Sequence, residues 1–274
     1  MRLERFYAAK AGEIAFLRTA AGQGGLPEIF AGQRPDFAKA LRTPSFGVPL
    51  SIVAEYKRAS PSRGLVCDTV SAEEAALQYA QSGARAVSIL TEETYFQGNM
   101  DFLARAARAL GALAEPLPLL RKDFIFDPLQ VRATAAGPAS ALLLVVKMAP
   151  DARVLRQLRE DTERFGMQAV VEVFDAGDVR LARESGARII QVNARNLDTL
   201  EVDRSVCCRI AKSFPPEKGE LWVAASGISR PEHLARIAAA GFHAALVGSA
   251  LMARGQPGLA LKALLQNGGN KSCL

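Results

Sequence analysis

Ser71-Ala72-Glu73-Glu74-Ala75-Ala76-Leu77-Gln78-Tyr79-Ala80-Gln81-Ser82-Gly83-Ala84-Arg85-Ala86-Val87-Ser88-Ile89-Leu90 holds a helix, its stop signal and a strand in one run. Ser71 ahead of Glu73 and Glu74 is helix-start chemistry: a side-chain oxygen meets free N–H groups, and acid sits in the first turn. The spacing predicts a helix over 72–81. Gly83 supplies the left-handed residue that ends it, and 86–90 is an apolar run of strand length. The same punctuation returns in Glu184-Ser185-Gly186-Ala187-Arg188 and in Ala239-Ala240-Gly241-Phe242-His243.

Working outward, strands are expected at 50–55, 86–90, 117–120, 141–146, 169–173, 189–192, 221–224 and 244–247. Helices are expected between them at 72–81, 100–110, 152–165, 176–184 and 231–240. A strand that returns parallel to its predecessor needs a helical crossover, and eight such units close a (β/α)8 TIM barrel. A doubly wound open sheet is the rival fold. It carries a glycine fingerprint after its first strand, where this chain has Glu55-Tyr56-Lys57-Arg58. The expectation is therefore α/β: residues 1–48 as an N-terminal helical extension (3–19 and 34–43) packed on the barrel, 49–266 as the barrel, and 267–274 as a frayed tail.

The composition fits that reading. The chain has 274 residues, 49% hydrophobic and 23% charged, which excludes a mostly disordered chain. Its longest clean apolar run, 141–146, is far shorter than the ~20 residues that cross a bilayer. The mixed charges of Met1-Arg2-Leu3-Glu4-Arg5-Phe6 are unlike a secretory signal, so a cytoplasmic location and no membrane partner are expected. The net charge is +6, but the basic residues are dispersed and aromatics are sparse, so nucleic acid is not the expected partner. An anionic small molecule is. Cys67, Cys207, Cys208 and Cys273 make no CxxC spacing, and His233 and His243 make no HExxH motif. Metal and thiol redox chemistry are therefore not expected.

In a parallel barrel the reactive groups gather where the strands end. The first strand ends in Glu55-Tyr56-Lys57 and the third in Arg121-Lys122-Asp123. The fifth carries Glu172 between Val171 and Val173, and the sixth runs into Asn193-Ala194-Arg195. Glu55 and Lys57 are two apart and share a face. Glu172 faces away from its valine neighbours, into a lumen where an unpaired carboxylate costs several kcal/mol, so Lys57 or Lys122 is its expected partner. Ser226-Gly227 and Gly248-Ser249 follow the last two strands, where barrels bind phosphate through backbone N–H groups.

These phrases resemble the indole-3-glycerol phosphate synthase family of tryptophan biosynthesis. The resemblance rests on Ile52-Val53-Ala54-Glu55-Tyr56-Lys57-Arg58-Ala59-Ser60-Pro61-Ser62, Leu90-Thr91-Glu92-Glu93-Thr94-Tyr95-Phe96-Gln97-Gly98 and Leu120-Arg121-Lys122-Asp123-Phe124-Ile125. It continues through Val171-Glu172-Val173, Val192-Asn193-Ala194-Arg195-Asn196-Leu197, Ser226-Gly227-Ile228 and Val247-Gly248-Ser249. It implies a carboxy-lyase that closes the ring of 1-(2-carboxyphenylamino)-1-deoxyribulose 5-phosphate, losing carbon dioxide and water, with no metal or organic cofactor. By resemblance, Lys122 is the general acid and Glu172 the base or cation stabiliser. Glu55 with Lys57 serves later proton transfers, and Asn193 orients the substrate. Arg195 is similar to the residue near the substrate carboxylate. Ser60, Ser226, Gly227, Gly248 and Ser249 resemble phosphate contacts, and Phe96, Phe124, Leu143 and Leu197 the apolar wall. A monomer is expected.

One position departs from the family pattern. Where the family carries a glutamate before Ser-Gly, this chain has Ala225. That keeps two alternatives open: another phosphate-binding barrel enzyme, of the sugar-amine isomerase type, or a non-catalytic metabolite-binding barrel.

Overall fold

The computed structural model describes residues 3–266; the expected tail at 267–274, with Cys273, lies outside the described residues. Eight strands carry the architecture: β1 (Ser51–Tyr56), β2 (Ala86–Leu90), β3 (Leu119–Ile125), β4 (Ala141–Val145), β5 (Gln168–Val173), β6 (Ile189–Asn193), β7 (Leu221–Ala225) and β8 (Ala244–Val247). Each pairs in parallel with the next, and β8 returns to β1 through Ser51↔Ala244 and Val53↔Leu246, closing the barrel. The fold is the (β/α)8 TIM barrel that the alternation predicted.

Alternation along each strand sorts side chains into two cores. Ile52, Ala54, Val87, Ile89, Leu142, Leu144, Val171 and Trp222 point outward, against the helices. Val53, Ala86, Leu120, Leu143, Val170, Ile189, Val223 and Leu246 fill the barrel interior. Above that inner layer, the inward rows of several strands finish in polar groups: Glu55 above Val53, Lys122 above Leu120, Glu172 above Val170. The helix after β1 starts as its sequence foretold. Ser71 accepts from the Glu74 N–H at 3.3 Å, and Glu74 returns the bond to Ser71, at the start of Ala72–Gln81.

Two departures bear on the site. The third strand was expected to stop at Leu120 but continues to Ile125. The charges of Arg121 and Asp123 hid its second half, because both are buried in compensating pairs on the outer face. The sequence reading also passed over a small hairpin after β1, Ala59–Ser60 paired with Gly64–Leu65, which stands at the barrel mouth.

The extension forms two helices, α1 (Glu4–Gly22) and α2 (Phe37–Arg42). Between them, Arg34 donates to the carbonyls of Ala135, Gly137 and Ala139 at 2.5–2.7 Å. It thereby satisfies carbonyls at and beyond the end of the helix Pro128–Ala135, where a cation is favoured. Helix α1 buries Phe6, Lys10, Ile14 and Leu17. Lys10 lies in the middle of this otherwise apolar face because it meets Glu13 at 2.8 Å and Asp123 at 2.6 Å. Arg121 closes the circuit, reaching Asp123 at 2.8 Å and Glu13 at 3.1 Å.

Burial alone would push the Asp123 carboxyl up, but Arg121 and Lys10 outweigh it and hold it below its ordinary value. A depressed carboxylate contributes stability that is present above its unfolded pKa and is lost as pH falls through its folded one. Asp123→Asn is expected to cost about 3–5 kcal/mol at neutral pH, the usual effect of breaking a buried pair. It should also flatten part of the acid-side loss. Urea denaturation of parent and variant from pH 7 downward measures both, and parallel profiles would contradict this role for Asp123.

Candidate active site

Two acid–base pairs stand at the C-terminal end of the barrel. Glu55, on the last inward position of β1, is almost fully buried and meets Lys57 Nζ at 2.5 Å. The Tyr79 hydroxyl donates to the Glu55 carbonyl at 3.0 Å and secures the strand end from the helix side. Lys122 Nζ lies 3.5 Å from Glu172 Oε2, so Lys122, of the two expected candidates, is the partner of Glu172. The Gln191 amide, opposite Glu172 in the β5–β6 register, also donates to Glu172 Oε2. A buried carboxylate held by both an ammonium and an amide has a defined position from which to meet developing charge.

Asn193 ends β6, and its Oδ1 accepts from the Arg195 N–H at 3.0 Å. Arg195 Nη1 reaches Ser62 Oγ at 3.1 Å and the Leu200 carbonyl at 2.7 Å, tying the loop after β1 to the loop after β6. Burial, reinforced by Arg63 and opposed by Glu55, lowers the Arg195 pKa. Arg63, Arg195 and Arg204 all line the mouth. Two lysines face two glutamates there, so the arginines leave an excess of positive charge.

After β7 the backbone turns through two successive left-handed residues, Ser226 (φ 71°) and Gly227 (φ 75°). A non-glycine residue in that region is uncommon and marks functional turns. Consecutive N–H groups in such a turn form an anion-binding concavity. A Cβ on Gly227 would press on Val202 and Arg204, whose Nε donates to the Gly227 carbonyl at 2.8 Å. Gly248, after β8, has no room for a Cβ because the Glu55 carboxylate occupies that space. Ser60 is buried at the mouth, and its hydroxyl has no partner among the described residues.

The mouth thus brings together Glu55, Lys57, Lys122, Glu172 and Asn193 with Ser60, Phe96, Phe124, Arg195, Leu197, Ser226, Gly227, Gly248 and Ser249. Leu143 stands one inward layer below Glu172, paired with Val170 in the barrel filling. Sequence reasoning missed Phe6, Leu90, Ser62, Arg63, Arg204 and Leu246, which also line the mouth. Phe6 stacks on Phe124 at 4.1 Å and meets Tyr95 edge-on at 5.5 Å, so α1 supplies part of the aromatic wall. Ala225 forms an apolar floor beside Asn193 and Leu246.

The remaining nucleophile and base candidates lie elsewhere. Burial pushes the Cys207 thiol up to about 12, which leaves it protonated. His243 Nδ1 accepts from the Trp222 N–H, on the side of the barrel where strands begin. Among the described residues, no group of three or more His, Cys, Asp or Glu side chains could hold a metal ion.

Comparison with known proteins gives a consistent picture. A family model described as indole-3-glycerol phosphate synthase matches residues 3–264. The indole-3-glycerol phosphate synthase of Mycobacterium sp. (strain KMS) is 43% identical over 238 residues, 87% of this chain and 83% of that protein. That of Desulfotalea psychrophila is 39% identical over 258 residues, 93% and 95% of the two chains. Among solved structures, thiamine phosphate pyrophosphorylase from Pyrococcus furiosus superposes with a TM-score of 0.57 at 15% identity. It covers 78% of this chain and 93% of that one, a likeness of fold alone.

If the turn at Ser226 and Gly227 cradles an anion, Ser226→Asp places a carboxylate where the anion would sit. Inorganic phosphate should then bind at least about tenfold more weakly, or about 1.4 kcal/mol. Calorimetric titration of parent and variant measures this, and equal affinities would place the anion elsewhere.

Proposed function

The chain belongs to the indole-3-glycerol phosphate synthase family, carboxy-lyases of tryptophan biosynthesis, and from that premise we propose how its mouth divides the work. The substrate, 1-(2-carboxyphenylamino)-1-deoxyribulose 5-phosphate, carries a phosphate, a carboxylate, an aromatic ring and a ketone. The positive excess from Arg63, Arg195 and Arg204 matches the two anionic groups. Phosphate would lie against the Ser226–Gly227 and Gly248–Ser249 loops, with the free Ser60 hydroxyl nearby. Phe6, Phe96, Phe124 and Leu197 would hold the aromatic ring, and Arg195 its carboxylate.

With the substrate so placed, Lys122 donates a proton to the ketone oxygen. The ring carbon bearing the carboxylate attacks the carbonyl carbon, a new carbon–carbon bond forms, and the oxygen becomes a hydroxyl. The cyclic intermediate is cationic, and Glu172, fixed by Lys122 and Gln191, stabilises that charge. Carbon dioxide then leaves, and its bonding pair restores the aromatic ring. An apolar wall assists this step by excluding the water that solvates the carboxylate. Lys57 protonates the hydroxyl, which departs as water. Glu55 takes the proton from the adjacent CH2 group, and the indole is complete. Asn193 orients the substrate throughout.

The observation that carries this reading is the pairing of each carboxylate with its own lysine across one mouth, Glu55 with Lys57 and Glu172 with Lys122. Ala225 leaves both pairs in place, and no observation favours the isomerase or the non-catalytic barrel. One chain supplies every group named, so a monomer suffices. We also propose that residues 49–266 form the catalytic unit and 1–48 an extension that completes the wall. A cytoplasmic location suits a phosphorylated substrate, and no described helix is long and apolar enough to cross a membrane.

Fluorescence of the indole product tests the assignment. The parent should convert the substrate, and Lys122→Ala should lose about 10²–10⁴-fold in turnover, the usual contribution of a general acid, while remaining folded. Turnover near the parent's would remove Lys122 from the mechanism. Gly248→Ala must displace the Glu55 carboxylate and should lower kcat by about 10²-fold, the low end of the loss expected for an acid–base group. An unchanged kcat would remove that pair from the later proton transfers.

A further inference from the structure

Lys122 sits where its strand loses support on one side. On the β2 side the ladder reaches Leu90↔Lys122, and the Thr91 N–H donates to the Lys122 carbonyl at 3.1 Å. On the β4 side the register runs Leu120↔Ala141, Arg121↔Leu142 and then jumps to Ile125↔Leu144. Residues 122–124 therefore have no ladder partner on β4. Bulges of this kind recur beside active sites, where they re-aim a side chain, and backbone freed from its ladder must be held by other groups.

The Phe124 carbonyl accepts from the Gln130 amide at 3.0 Å, and the side chains that flank Lys122 are held from α1. Lys10 Nζ bridges Asp123 Oδ1 at 2.6 Å and Glu13 Oε2 at 2.8 Å. Arg121 Nη2 bridges Asp123 Oδ2 at 2.8 Å and Glu13 Oε1 at 3.1 Å. The four charges alternate around a closed ring, each with two opposite neighbours. Two belong to α1, and the other two are the residues on either side of Lys122. Asp123 Oδ1 also accepts from the Phe124 N–H at 2.8 Å, while Thr91 Oγ1 donates to Asp123 Oδ2 and accepts from Arg121 Nε. The ring thus stands on the outer face of β3, behind the lysine that faces Glu172 on the inner one.

We propose that Lys10 and Glu13 are positioning residues for Lys122: through the side chains of Arg121 and Asp123 they brace the stretch that has no ladder partner and set the distance of the ammonium from the reacting carbonyl. This rests on the reading of Lys122 as the general acid. It gives the N-terminal extension a part in the proton transfer beyond the aromatic wall. A ring that merely anchored α1 would act through Phe6, so its loss would show in KM and in stability. A ring that aims Lys122 acts on kcat.

The test is steady-state kinetics on the full chain by indole fluorescence, with folding checked by circular dichroism. Lys10→Met should lower kcat by up to about 10²-fold, the scale of an ångström misplacement, while KM stays within about twofold, since the substrate contacts are untouched. Glu13→Gln, at the most exposed corner of the ring, retains the oxygen facing Arg121 and should show a smaller loss in kcat. It decides the matter if Lys10→Met fails to fold. In a Lys122→Ala background neither change should lower kcat further, because residues acting through one group are not additive. If Lys122→Ala is inactive but folded Lys10→Met and Glu13→Gln keep the parent kcat, the positioning role is overturned and the reading of the site stands. A rise in KM alone, or an equal kcat loss with and without Lys122, also overturns it. If Lys122→Ala keeps the parent kcat, the reading of the site fails and the positioning role fails with it.

Discussion

A parallel sheet closed on itself has no free edge and brings all eight strand C-termini to one rim, and this closure is the constraint on which the site depends. β1 pairs with both β2 and β8, so Glu55 and Gly248 become neighbours although 193 positions separate them in the chain. Period-two alternation then decides which residue of each strand end faces inward. Val53, Leu120 and Val170 fill the interior, and Glu55, Lys122 and Glu172, two positions on, stand at the mouth.

Burying charge at that mouth is costly unless it is matched. The solution is local neutrality: each glutamate has a lysine, and Glu172 has the Gln191 amide besides. Ala225 fits this balance, because a third carboxylate would have no lysine of its own. The surplus charge belongs to arginines of the surrounding loops, where it attracts an anion at longer range. The same logic operates behind β3, where two cations and two anions from α1 and the strand close a neutral ring.

Much of this was legible in the residues themselves. The helix–glycine–strand punctuation sufficed for the barrel, and the point where each apolar run turns polar picked out charged groups that gather at one mouth. What escaped did so for identifiable reasons. The second half of β3 reads as charged loop because a strand can bury charge only when a distant element supplies the counterion, here Lys10 of α1. The depth of Leu143 was not legible, because apolarity alone does not tell the top inward layer from the one beneath it. Phe6 carries no site signal by itself. A lysine set in the apolar stripe of Phe6, Ile14 and Leu17 was the available hint that α1 meets a buried acid.

The central claim, that the groups at this mouth act together on one phosphorylated aromatic substrate, is tested most directly by a crystal structure with indole-3-glycerol phosphate bound. The account predicts the phosphate within hydrogen-bond distance of the Ser226–Gly227 and Gly248–Ser249 backbone. The indole should pack between Phe6, Phe96 and Phe124, with Lys122 and Glu172 facing its five-membered ring. An indole bound away from Lys122, or a phosphate held outside the loops after β7 and β8, would contradict it.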